Sequence, residues 1–247
     1  MRERGFSLVE MMVVVAIFTI ITGAVFGLMT VAQQRYKMEA EFLDSFQGAR
    51  LALDQIVRDV HVSGYPPIDK VMSAVAAANP ELFAHPMAWS GGYPVTPCVV
   101  GACAIPAAFD IILETDVDPE AVNGVEWVRY RLRGGTLFRG MATKTKGGDP
   151  ATATLPNLVA YLENVVNDPN GIPAAQRAVL QLHYPGLWPG GVAVPMFQYR
   201  FGASPTGTAV DVEEVHITLM VMAPNLDPQT RQPRVLVLTG LAHRFNP

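Results

Sequence analysis

The polarity pattern along the chain changes period twice. From Met11 to Ala32 almost every position is apolar, a run of about 22 residues without a charge. That length suits a bilayer-spanning helix at ~1.5 Å rise per residue. Further on, Leu43, Phe46, Ala49, Leu53, Ile56 and Val60 recur at spacings of three or four, with Asp44, Gln47, Arg50, Asp54 and Arg58 between them. This is the stripe of an amphipathic helix. No proline interrupts the stretch from Phe6 to Gly64. The pattern therefore predicts one continuous helix of roughly 57 residues, about 85 Å long. Gly23, Gly27 and Gly48 soften it locally, at about 1 kcal/mol each against Ala. Gly64 and Pro66-Pro67 end it.

Beyond the helix the period falls to two. Strands are expected at Phe109–Thr115, Val125–Arg133, Thr136–Arg139, Met196–Phe201, Val212–Met222 and Arg234–Arg244. The alternation is imperfect between Val125 and Tyr130. Gly134-Gly135 is a hairpin turn signal. Short helices are expected over 69–79 and 173–183. Together these elements predict an α+β fold, with an antiparallel sheet packed on the amphipathic half of the long helix.

Composition narrows the function classes. The formal net charge of −4 and the absence of a basic stripe argue against nucleic-acid binding. The histidines His61, His85, His183, His216 and His243 are scattered in sequence, with no zinc spacing. No phosphate loop, nucleophile elbow or dinucleotide fingerprint occurs. No catalytic residue, cofactor or metal is expected. Asp116, Asp118 and Glu120, like Asn167, Asp168 and Asn170, read as turn chemistry in preference to a calcium loop. The aromatic loops Trp89–Tyr93 and His183–Gly191 are expected to fold their rings back onto the domain. Cys98 and Cys103 enclose four residues with Gly101 among them. Outside the cytoplasm they suit a small-loop disulfide, a contribution on the order of 2 kcal/mol; two reduced thiols are the other reading.

The apolar run is too long for a secretory signal core, and no Ala-x-Ala site closes it. Arg2 and Arg4 precede it, which places the leader in the cytoplasm and the body outside, although Arg35 and Lys37 flank the far end. Glu10 stands at the start of this apolar segment. A carboxylate in a span costs roughly 2.5–3.5 kcal/mol near the helix centre and less towards an end, so Glu10 calls for a partner.

Gly5-Phe6-Ser7-Leu8-Val9-Glu10, followed by the apolar run, resembles the cleavage and methylation motif of type IV prepilins and the related pseudopilins. The resemblance implies cleavage after Gly5 by a prepilin peptidase and N-methylation of Phe6. It also implies packing of the mature helices in a filament core. Phe6 would then carry a positive amine one helical turn from Glu10. Glu10 could neutralise its own amine or, as the resemblance implies, that of a neighbouring subunit, setting register during assembly. Arg58-Asp-Val-His-Val-Ser-Gly64-Tyr65, the Tyr130–Arg139 hairpin and the final run Leu241–Asn246 resemble PilW-type minor pilins. Phe245 stands between the Arg and Asn that are commonly paired there.

The implied organisation is a leader at 1–5, a transmembrane or filament-core half-helix at 6–32, an amphipathic half at 33–63 and a β-rich periplasmic domain at 64–247. The implied function is that of a minor pilin that initiates, caps or helps assemble a type IV pilus. Its partners would be prepilin peptidase, other minor and major pilins and an inner-membrane assembly platform. Its location would be the inner membrane, single-pass, and then the pilus or cell surface. The alternatives are a J-like minor pseudopilin of a type II secretion system, and a membrane-anchored periplasmic enzyme or binding protein.

Overall fold

The computed structural model describes residues 7–68, 73–91, 97–117, 124–202, 207–227 and 230–245. The long helix is continuous: α1 spans Leu8–Val62, 55 residues, or about 82 Å at the helical rise. Its two halves meet different surroundings. From Leu8 to Ala32 almost every side chain is exposed. In the second half Ala49, Ala52, Leu53, Ile56, Asp59 and Val60 are buried. The predicted stripe is therefore right from Ala49 onward but too long at its start, since Leu43 is exposed. There the body no longer reaches the helix with an apolar surface, and polar contacts replace it.

The remaining elements are α2 (Ser73–Ala78), β1 (Asp110–Thr115), β2 (Glu126–Arg133), β3 (Thr136–Thr143), α3 (Pro150–Ala153), β4 (Val159–Leu162), α4 (Ala174–His183), β5 (Phe197–Phe201), β6 (Val212–Met222) and β7 (Val235–His243). Of the helix expected over 69–79, residues 69–72 lie outside the described residues. The strand expected at Thr136–Arg139 runs four residues further, and β4 was not anticipated.

The single expected sheet is two. One is antiparallel in the order β1-β2-β3-β4, the other antiparallel in the order β5-β6-β7. The segment between β4 and β5 leaves the sheet to form α4, so β4 and β5 do not pair. Among the described residues the sheets are linked by an isolated Val165–Val221 bridge and by backbone bonds from Met196 and Phe197 to Ala108. Both sheets close on the same stripe of α1. Ile56, Val60, Ile111, Leu113, Val128, Tyr130, Val215, Ile217, Leu219 and Ala242 share one apolar core.

The β2–β3 hairpin turns at Gly134-Gly135, both at positive φ (59° and 76°), which a Cβ would strain. Sheet one is covered on its second face as well: Trp127 and Ile112 pack with Ala88 and Ile105. That is why β2 alternates poorly, since Trp127, Val128, Arg129 and Tyr130 are all buried. On the far face of sheet two, α4 and its flanks pack Leu180, Ile172 and Trp188 against Met220 and Met222.

β7 runs in the same direction as α1. Arg234, just before it, meets Glu39, and Phe245, just after it, donates its N–H to the carbonyl of His61. Gly240, in its middle, lies against the helix. A Cβ there would come within 2.9 Å of Leu53 Cδ1 and 3.3 Å of Val57 Cγ2, so glycine lets the strand and helix approach.

Candidate functional site: the N-terminal motif and the junction of helix and body

Gly5 and Phe6 lie outside the described residues. The motif enters the structure at Ser7, the N-cap of α1, and Glu10 is the third helical residue. The two form a capping box: Ser7 Oγ accepts from Val9 N–H at 3.3 Å, and Glu10 Oε2 accepts from Ser7 N–H at 3.0 Å. Sequence reasoning assigned Glu10 a charge partner and overlooked this local one, although Ser-x-x-Glu ahead of an apolar run is a capping signature. Glu10 thus satisfies an otherwise orphaned helix donor and stands in the first turn, where the helix dipole favours negative charge. Thr19 and Thr30, within the apolar run, donate their hydroxyls to the carbonyls of Val15 and Phe26.

A second set of polar groups fixes the body to the helix. Asp59 is buried in the α1 stripe. Its Oδ2 accepts from the Tyr130 hydroxyl at 2.6 Å and from Arg139 Nη2 at 3.2 Å, and its Oδ1 accepts from Gln55 Nε2 at 2.6 Å. Arg139 Nε also donates to the Tyr130 oxygen at 3.0 Å. Burial first, and then the negative Asp59 beside it, hold the Tyr130 phenol far above its ordinary range. Tyr130 therefore stays protonated and donates. The sequence reading passed over Asp59, yet its position three residues after Ile56 places it on the buried stripe.

Nearer the span, Arg234 Nη1 meets Glu39 at 2.7 Å and its guanidinium sits over the Phe42 ring, while Asn225 Nδ2 donates to Glu41 at 2.6 Å. These contacts take over where the apolar stripe ends. They are solvent-exposed and individually weak, but they tie the 223–234 loop to the helix just beyond the apolar run.

Deeper in sheet one, Glu114 is fully buried. It accepts from Lys144 Nζ at 2.6 Å, His85 N–H at 2.8 Å and Trp127 Nε1 at 3.1 Å. Burial pushes the Glu114 carboxyl up, against the pull of Lys144. Burial, with Lys144 second, lowers His85 to about 4. The group joins β1 to β2, to Lys144 just after β3 and to the 83–85 segment.

The other candidate residues are placed as follows. Cys98 and Cys103 are joined by a disulfide, in a surface loop bridged at Val99 to Thr208. His216 and His243, far apart in sequence, are brought together on β6 and β7, their rings 3.8 and 3.4 Å from Glu214. His61 packs on Phe245. Asn167 is buried and bonds to the backbones of Val194, Thr218 and Met220, while Asp168 closes a turn onto the Asn170 N–H. Asp118, Glu120 and Tyr93 lie outside the described residues. Trp89 and Trp188 are buried, the latter bonded to the Val166 carbonyl. Among the described residues no group of three or more His, Cys, Asp or Glu side chains is placed to hold a metal ion.

The first 26 residues match the family model described as the prokaryotic N-terminal methylation motif. No curated protein and no solved structure matches the chain. The matched segment runs without a break into α1, whose apolar half is long enough to cross a membrane and fits a membrane anchor. The motif, the anchor-length helix and the antiparallel body behind it support a type IV prepilin-like protein.

Proposed function

We propose that the chain is a minor type IV pilin. In this reading it is cut after Gly5, methylated on the new Phe6 amine and drawn into a pilus to initiate, cap or help assemble it. It is a structural subunit, without catalytic residues of its own. The observation that carries the reading is the joining of the methylation motif at residues 1–26 to one unbroken 55-residue helix. The exposed apolar half of that helix would enter first the membrane and then the filament core. The buried half holds the body rigidly to it through the core and Asp59. The large body supports a minor subunit, since bulk is harder to repeat along a filament.

Glu10 has a defined task in this reading. Its Oε2 caps the helix, and the carboxylate neutralises the amine of a neighbouring Phe6, setting the axial register of each incoming subunit. The periplasmic side receives the body, and the Cys98–Cys103 disulfide forms there. The alternative is a J-like minor pseudopilin, which shares every one of these features. Deletion of the gene separates the two: loss of pili or twitching with normal exoprotein export supports the pilin, and intact pili with failed export supports the pseudopilin. An anchored enzyme or binding protein would leave both readouts unchanged.

A further inference from the structure

We infer that the free edge of β7 is a docking site for an extended strand of another subunit, which adds to sheet two. The inference rests on the reading of the chain as an assembling subunit. An unpaired strand edge presents rows of N–H and C=O groups, and natural proteins blunt such edges with charges, proline, bulges, short length or covering backbone. Three of the four sheet edges here are blunted. The β1 edge is covered by backbone bonds from Gly64 and Ala88 to Glu114 and Ile112. β4 has four residues and a register shift. β5 has a register shift at Arg200–Phe201 and is capped at Phe197 by the Ala108 carbonyl.

Among the described residues β7 has none of these devices. It has nine residues in unbroken register with β6. Val235–Ala242 reads Val-Leu-Val-Leu-Thr-Gly-Leu-Ala, with neither a charge nor a proline. The bonds Ala223 N–H to Arg234 O and Arg244 N–H to Glu213 O fix the parity of the antiparallel ladder. Leu236, Leu238, Gly240 and Ala242 therefore bond to β6. Val235, Val237, Thr239, Leu241 and His243 turn their N–H and C=O groups outward. Among the described residues none hydrogen-bonds to that edge. The side chains of Val237 and Leu241 are each 52% exposed beside it.

Only another extended backbone meets such a row in register, and the uncharged flank suits a strand of alternating apolar residues. The direction of β7 selects the source. An antiparallel pairing with β7 of a second copy would turn the two α1 helices in opposite directions, because β7 runs parallel to α1. Two spans in one membrane, or in one filament, do not allow that. A parallel pairing of the same two edges would align the helices but set them on opposite faces of the joined sheet, apart from any common filament core, so the occupant is a strand of a different subunit anchored in the same direction.

The test places a photoactivatable benzophenone side chain in place of Val237, Thr239 or Leu241, one at a time, in the full-length chain in its own cells. Cross-linked residues are read by mass spectrometry, with the exposed α4 position Leu182 as control. The expected result is a product with a different subunit in which the partner residue advances by two at each step. Val237→Lys, which leaves the ladder to β6 intact, should cut the yield from 241 at least fivefold while the thermal midpoint holds. Products with a second copy of this chain, contacts without a two-residue step, or yields no higher than at Leu182 would each overturn the inference. The N-terminus is sequenced in the same samples. A cut and methylated Phe6 with no β7 product defeats the docking edge alone, whereas an uncut leader defeats the subunit reading beneath it.

Discussion

Asp59→Ala tests how the body is held on the helix. The substitution removes the acceptor of a bond from the buried Tyr130 hydroxyl and the partner of the Arg139 guanidinium. A hydrogen bond to a charged group contributes about 1.5–3 kcal/mol. Arg139 is partly exposed, its side chain 22% accessible, so its pairing adds less than about 1 kcal/mol. The bond from Gln55 adds a few tenths, as same-helix pairs do. The expected loss is about 3 kcal/mol, or a fall of roughly 6–12 °C in the thermal midpoint for a body of this size. Asp59→Asn keeps an oxygen for Tyr130 and gives up only the charge, so about 1–1.5 kcal/mol is expected. The assay is thermal unfolding of the full chain in detergent micelles, followed by tryptophan fluorescence, because Trp89, Trp127 and Trp188 are all in the body and buried. A double-mutant cycle with Tyr130→Phe should return a coupling of about 1–2 kcal/mol. A loss under 0.5 kcal/mol for Asp59→Ala, or no coupling to Tyr130, would refute the reasoning.

Three further outcomes are expected. Glu10→Gln keeps a capping side chain and loses the charge, whereas Glu10→Ala loses both; if register is set by charge, both variants are cut and membrane-inserted but poorly incorporated into filaments. Incorporation of Glu10→Gln at the native level would show that capping is the only task of Glu10. His85 is lowered to about 4 from an ordinary 6.5, so its neutral form supports the fold fully above 6.5 and that support is lost as pH falls towards 4. About 2–3 kcal/mol should disappear across that window, and His85→Gln should flatten the slope in a pH series of denaturant midpoints. Gly240→Val should cost about 1–3 kcal/mol by overpacking against Leu53 and Val57, and pairing it with Leu53→Ala should recover part of the loss in the same assay.

Much of the fold was legible because it rests on period. The unbroken α1, the β2–β3 hairpin at Gly134-Gly135 and the β6–β7 pair come from local spacing and turn chemistry. Leu43 misled because an apolar residue at the right spacing is buried only if something packs there, and the body supplies Arg234 and Asn225 at that level instead. β2 hid its alternation because both its faces are covered. The division into two sheets depends on the α4 excursion between β4 and β5, a long-range matter that strand patterns do not encode. At the site, the Glu10 motif was visible in six residues, and its capping partner Ser7 stood in the same string. Asp59 was harder to see, since its role depends on Tyr130 and Arg139, 71 and 80 residues away. The pairing of His216 with His243 around Glu214 likewise exists only once β6 and β7 are in register.

The central claim is that the chain is processed and assembles through its N-terminal motif. The most direct test is mass spectrometry of the native N-terminus. The account predicts a chain that begins at Phe6 with a methyl group on its amine, recovered from filaments as well as from the membrane. A chain that still begins at Met1, or an unmethylated Phe6 found only in the membrane, would contradict it.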